Sequence, residues 1–160
     1  MRRSWLLGCH GGLHFAGGQV LHRAHGEGAL LTGDNIVGLG SVLIDPPEGN
    51  MRAYLATLER FRELTHLKVL FGGHGPATGG ARAKVDEYIL HRLERERHIL
   101  AAVREGLSSR RDIVARVYTD VHPKMHALAE RAVLAHLDKL EEDGQVKRCG
   151  DDVYVASGSI

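Results

Sequence analysis

Two short apolar runs, residues 29–34 (ALLTGD) and 68–71 (KVLF), each lead into a glycine-bearing turn that carries a polar side chain. An amphipathic segment separates them. Strand, loop, helix, strand and loop in that order is the pattern of α/β layering, where residues at strand ends are natural site positions. The intervening helix is expected from Asn50, a capping residue, to about Leu64, because Met51, Tyr54, Leu55, Leu58 and Phe61 recur at helical spacing. Residues 35–49 carry Gly38, Gly40, Pro46, Pro47 and Gly49 and read as a loop, with a brief strand expected at 42–44 (VLI). Residues 1–28 are rich in Gly and His and show no clean period.

The second half has a different texture. A long helix is expected over 81–105 on the stripe Val85, Tyr88, Ile89, Leu93, Leu100 and Val103, with Gly106 ending it. Ser109 and Asp112 form a capping arrangement for a short helix carrying Ile113, Val114 and Val117. Pro123 sits where a first helical turn tolerates it. The helix behind it carries Met125, Leu128, Val133, Leu137 and Leu140, and Gly144 closes it. QVKRC and VYVAS then flank GDD as a β-hairpin. Helix, helix, helix and hairpin is the winged-helix pattern.

The chain has 160 residues, room for one ordinary domain or two small ones, and 43% hydrophobic residues are enough for a packed core. A net charge of +1 argues against a general electrostatic trap for nucleic acid or membrane. Cys9 and Cys149 make neither a disulfide framework nor a cysteine-type zinc site, which fits a reducing cytosol. The apolar run in MRRSWLLGC is broken by Gly8, His10, Gly11 and Gly12 before it reaches signal-peptide length, and no stretch approaches a membrane span. A cytoplasmic location with no membrane partner is therefore expected.

Three pieces carry chemistry: Gly8-Cys9-His10-Gly11-Gly12-Leu13-His14, Leu31-Thr32-Gly33-Asp34-Asn35, and Gly72-Gly73-His74-Gly75-Pro76-Ala77. Each puts a metal-ligand type among glycines, which allow the tight turns that aim a side chain into a shared cleft. Imidazole and carboxylate together suit zinc. Singly, each piece reads as an ordinary turn. In this order, with a helix between the second and third, the chain resembles the metallo-β-lactamase superfamily, in particular the β-lactamase-like protein 2 type, with glyoxalase II more distant. LLTGDNIVG resembles the family's strand-plus-aspartate motif, and FGGHGPA its final histidine motif. YILHRLERER, from Tyr88 to Arg97, resembles the following helix, and the tail resembles an appended winged helix.

The resemblance implies the C-terminal half of an αββα fold followed by an α+β winged helix. The expected division is 1–80 for the partial metallo-β-lactamase fold, 81–106 for a linking helix and 107–160 for the winged helix. It also implies a zinc-dependent hydrolase in which Asp34 is the catalytic, metal-bridging carboxylate and His74 a ligand of the second of two zinc ions. His10 is the further ligand, with His14 the alternative, because GCHGGLH keeps both histidines of a PGHTxGH-like motif but lacks its Pro and Thr. The family's HxHxDH motif is absent from the chain. Each ion would then keep two protein ligands where a catalytic zinc needs three, so weak zinc binding and little or no activity alone are expected. A truncated gene model, a frameshift near residue 28 and a genuine inactive fragment all fit that absence. Losing one αβ layer is also expected to expose apolar sheet surface.

In a complete protein of this kind, a metal-bound hydroxide would attack an ester, thioester, lactam or phosphodiester. The partners implied are a small-molecule ester or thioester, or single-stranded RNA. Sequence-specific DNA binding is not expected, because the segment from Lys124 to Asp143 sets Lys124, Arg131 and Lys139 against Glu130, Asp138, Glu141, Glu142 and Asp143. The tail is expected to pack on the catalytic part or on a second subunit, as in a homodimer. The rival reading is a non-catalytic winged-helix interaction or nucleic-acid-binding module, with Arg110, Arg111, Lys147 and Arg148 touching phosphates. His91 and Arg92 are expected on a solvated helix face, and His66, His98, His122, His126 and His136 carry no ligand spacing.

Overall fold

The computed structural model describes residues 28–38 and 40–158, together with the backbone of the strand residues 13–14 and 20–24. Five strands form one sheet: β1 (Leu13–His14), β2 (Val20–Ala24), β3 (Ala29–Gly33), β4 (Val69–Gly72) and β5 (Thr78–Gly79), in that spatial order. Only β3 and β4 run parallel; the other neighbours are antiparallel. A parallel pair needs a crossover, and α1 (Met51–Glu63) supplies it. Asn50 caps α1 as expected, its side chain accepting from the Ala53 N–H at 2.9 Å.

β3 follows strand periodicity. Leu30 and Thr32 point into the core, while Leu31 stands 47% exposed on the opposite face beside the 42%-exposed Phe71 of β4. That opposite face is therefore apolar and open. β2 is a departure from the sequence expectation, because VLHRA in a Gly/His-rich stretch has no apolar alternation, yet it pairs with β3 through His22–Leu31 and Ala24–Ala29.

The first core joins Leu30 and Leu70 of the sheet to Met51, Tyr54, Leu58 and Phe61 of α1. Val85, Tyr88 and Ile89 of the long helix α2 (Ala81–Arg104) complete it. The second core takes Ile99 and Val103 from the far half of α2. To these it adds Ile113 and Val114 of α3 (Arg110–Val117), Val133, Leu137 and Leu140 of α4 (His126–Glu142), and Tyr154. One helix thus serves both cores. Tyr154 lies on β7 (Val153–Ala156), which pairs with β6 (Val146–Gly150) as the expected hairpin. Ser109 caps α3, accepting from the Asp112 N–H at 3.1 Å and donating to the Asp112 carboxylate at 2.6 Å. Pro123 opens a 3-10 turn (Pro123–Met125) ahead of α4.

Several expectations are corrected. Residues 42–44 are not a strand: side chains of α2, rather than a neighbouring strand, bond the carbonyls of this loop. Leu93, Met125 and Leu128 are exposed, and the smaller or polar Ala102, Ala129, Ala132 and His136 are buried instead. Arg92 is not on a solvated face. It is 4% exposed, lies 5.3 Å over the Tyr54 ring, and donates to the Val42 carbonyl.

The boundary between the two cores is polar. His136 is wholly buried, its Nδ1 3.7 Å from Glu96 Oε2, and Lys139 meets the same carboxylate at 2.8 Å. Burial holds the His136 imidazole below the ordinary histidine range, against the pull of Glu96 and with the help of the Arg92 charge. Burial also lowers His91, with Arg92 and Arg95 adding to it. Both imidazoles are thus favoured neutral in the fold, while the unfolded chain binds their protons near about pH 6.5. This stability is complete above that pH and is lost progressively as pH falls below it toward the lowered folded values. Thermal melts at constant ionic strength are expected to show a lower Tm at pH 5.5 than at pH 7.5, with a smaller difference for His136→Phe. An unchanged Tm across that interval would contradict the assignment.

Candidate metal centre

Asp34 and His74 leave the same end of the parallel pair. The β3–β4 register matches Ala29 to Val69, Leu30 to Leu70 and Leu31 to Phe71, then slips so that Gly33 faces Gly72. Thr32 is the extra residue of this bulge, a device that re-aims the side chains beyond it. It is fully buried, and its hydroxyl lies 3.1 Å from the Ile36 carbonyl and 3.2 Å from that of Phe71. One side chain therefore stitches the turn after β3 to the last residues of β4.

The turn itself is tight. Gly33 takes a positive φ of 51°, and the Asn35 N–H closes back on the Thr32 carbonyl at 3.1 Å. Across the gap, the Gly73 N–H donates to the Gly33 carbonyl at 2.7 Å. A Cβ on Gly73 would overlap the Asp34 carboxylate, so a larger residue there would push that carboxylate aside. The result is that His74 Nε2 stands 3.6 Å from Asp34 Oδ1, with the two side chains 80% and 49% exposed.

That spacing suits a shared ion. Two donors each about 2.1 Å from one tetrahedral zinc stand roughly 3.4 Å apart. Imidazole and carboxylate are both zinc-type donors, and both reach solvent. Among the described residues, however, no group of three or more His, Cys, Asp or Glu side chains is placed to hold a metal. The pair fits as two corners of a site and falls one donor short of a catalytic one. His10 lies outside the described residues. His14 is on β1, paired with Val20; extending the β2–β3 register brings Val20 level with Gly33. Its backbone is therefore at the Asp34 end of the sheet, two strands from β3, about 10 Å across.

The loop that follows Asp34 is held by residues that sequence reading treated as core or solvated. The Tyr54 hydroxyl donates to the Asn35 carbonyl at 2.8 Å. The Tyr88 hydroxyl lies 2.5 Å from the Val37 carbonyl and 2.8 Å from that of Gly40. Arg92 takes Val42. Burial pushes the Tyr54 phenol up to about 12 and raises that of Tyr88, so both remain protonated donors at neutral pH. The available signal was a hydroxyl or guanidinium recurring within an apolar stripe (Tyr88, Arg92). At the far end, Arg131 of α4 pairs with Asp45, and Arg52 of α1 pairs with Glu142 at 2.8 Å and with Asp143. A cleft of about 650 Å3 between Pro46–Asn50 and α4, lined also by Leu134, Asp138 and Arg148, includes neither Asp34 nor His74.

Comparison with known proteins gives the family context of the chain. The beta-lactamase associated winged helix domain matches residues 109–154. A beta-lactamase-like protein 2 homolog of Caenorhabditis elegans is 33% identical over 122 residues, covering 76% of this chain and 40% of its own length. One from Drosophila melanogaster is 30% identical over 139 residues, covering 82% and 46%.

The chain belongs to the metallo-β-lactamase superfamily and carries a C-terminal winged helix.

The fold agrees. A metallo-beta-lactamase family protein of Thermus thermophilus superposes with a TM-score of 0.73 at 24% identity, over 87% of this chain and 45% of that one. A beta-lactamase domain protein of Burkholderia ambifaria superposes with a TM-score of 0.77 at 21% identity, over 89% and 46%. The chain thus spans less than half the length of these metallo-β-lactamase relatives.

Thr32→Val keeps the shape and removes the hydroxyl, leaving the buried Ile36 and part-buried Phe71 carbonyls without that donor. Urea unfolding is expected to show a loss of about 1–3 kcal/mol. A change within error of zero would mean that the bulge holds without the hydroxyl.

Proposed function

We propose that this chain supplies the Asp34–His74 side of a zinc-dependent hydrolase centre, and that it is inactive without the further donors such a centre needs. The observation that carries this reading is the 3.6 Å approach of the two side chains beyond adjacent parallel strands, in a chain of metallo-β-lactamase type. The division we favour is 1–80 for the catalytic part, 81–106 for the connecting helix and 107–160 for the winged helix.

Asp34 would bridge two ions and His74 would hold one of them, with His10 or His14 completing the contribution of this chain. When bound, zinc lowers the pKa of water and polarises the bond to be cleaved. The chain's own part is to fix the carboxylate and imidazole in advance, through the Thr32 bulge and the bonded loop, so that little reorganisation is left for metal binding. The substrate classes proposed are esters, thioesters, lactams and RNA phosphodiesters. The apolar face carrying Leu31 and Phe71 is consistent with a second layer packing there. Cys149 is an exposed free thiol, which supports a cytoplasmic location, and among the described residues no helix is long and apolar enough to cross a membrane.

The nucleic-acid reading of the winged helix has less support. Arg110 pairs with Asp152 at 2.5 Å, Arg148 with Asp138, and Arg131 with Asp45. Charges already engaged within the chain contribute less counterion release on binding phosphates. The tail is better read as a support packed on the catalytic part, or on a second copy in a homodimer.

The test is to extend the coding sequence upstream of Met1 through a segment containing HxHxDH and to measure zinc by mass spectrometry. About two zinc ions per chain are expected, with a clear loss in Asp34→Ala and His74→Ala. A folded extended protein that holds no zinc would overturn the ligand assignment.

A further inference from the structure

We propose that Tyr88 is a positioning residue for the Asp34–His74 pair, acting through the loop that joins Asp34 to α1. Among the described residues the loop pairs with no strand, and four of its carbonyls are taken by side chains from two helices: Asn35 by Tyr54, Val37 and Gly40 by Tyr88, and Val42 by Arg92. Tyr88 is the one of these that gathers two carbonyls three residues apart, which ties Val37 to Gly40. Its hydroxyl has one proton, so the two acceptors share it at 2.5 and 2.8 Å.

The pinned segment reaches both metal-site residues. Gly38, next to Val37, donates its N–H to the His74 carbonyl at 3.5 Å and packs against Pro76. Asp34 lies three residues before Val37, across the turn closed by the Asn35 N–H. The ring of Tyr88 is buried in the first core, so phenylalanine can keep the packing and delete only the tether. That separates a positioning role from a merely structural one. A purely structural Tyr88 would matter for its ring; a positioning Tyr88 matters for its hydroxyl.

The metal arm of the test rests on the zinc reading above; the exchange arm does not. The whole chain, labelled with 15N, is compared with Tyr88→Phe, Asp34→Ala and Val114→Ala, the last loosening the second core away from the loop. Two quantities are read by NMR: hydrogen exchange of the Asn35 and Gly38 amides, and the Co2+ concentration that half-broadens the His74 ring signals, a readout suited to a weak two-donor site. Tyr88→Phe is expected to speed the two amides about tenfold and to raise the Co2+ requirement several-fold. Val114→Ala is expected to leave the relative exchange of those amides and the Co2+ requirement unchanged. Exchange and Co2+ response of Tyr88→Phe both equal to wild type would overturn the positioning role. If Asp34→Ala leaves the His74 broadening as in wild type, the metal reading fails instead, and the amide exchange alone decides the role of Tyr88.

Discussion

Everything at the candidate centre depends on how β3 and β4 pair. They run parallel and in step for three residues, and then one extra residue, Thr32, is taken up on β3. Without that bulge, Gly33 would not meet Gly72, and Asp34 would leave the sheet out of step with His74. The bulge persists because Thr32 is buried with its hydroxyl between two carbonyls, and because Gly73 leaves room for the carboxylate. A buried hydroxyl whose one proton is shared between two carbonyls ties both segments together, which an apolar residue cannot do.

The same economy governs the second level of support. The loop after Asp34 has no ladder of its own, and phenols and a guanidinium on α1 and α2 bond its carbonyls. Because α2 enters both hydrophobic cores, the helix that anchors this loop is also the spine of the winged helix. Arg131–Asp45 and the Arg52 pairs close the same joint from outside. Exposed pairs of this sort contribute little stability each, and their role is mainly to set geometry. The tail therefore behaves as part of the scaffold, which accounts for basic residues that face acids of the same chain.

Much of this was legible in the residues. Caps at Asn50 and Ser109, the two strands that lead to Asp34 and His74, the long helix and the terminal hairpin follow from local chemistry, which tertiary structure leaves intact. The illegible parts share a cause: long-range partners overrode local pattern. VLI at 42–44 has strand propensity, but Tyr88 and Arg92 took the loop's carbonyls. Arg92 looked solvated because a charge on a helix usually is; the aromatic face of Tyr54 and a carbonyl made burial tolerable. VLHRA gave no strand signal because its pairing is set by its neighbour, β3. Met125 and Leu128 seemed to belong to the core, but Ala129, Ala132 and Ala135 are the residues buried there.

The functional reading is that a preformed carboxylate–imidazole pair awaits donors from beyond the described residues. Its most direct test is diffraction from crystals grown with zinc, collected on both sides of the zinc absorption edge. The expected result is an anomalous peak about 2.0–2.2 Å from both the Asp34 carboxylate and the His74 Nε2. A peak bound elsewhere, or one that contacts His74 with Asp34 turned away, would show that the strand pairing does not build a metal site.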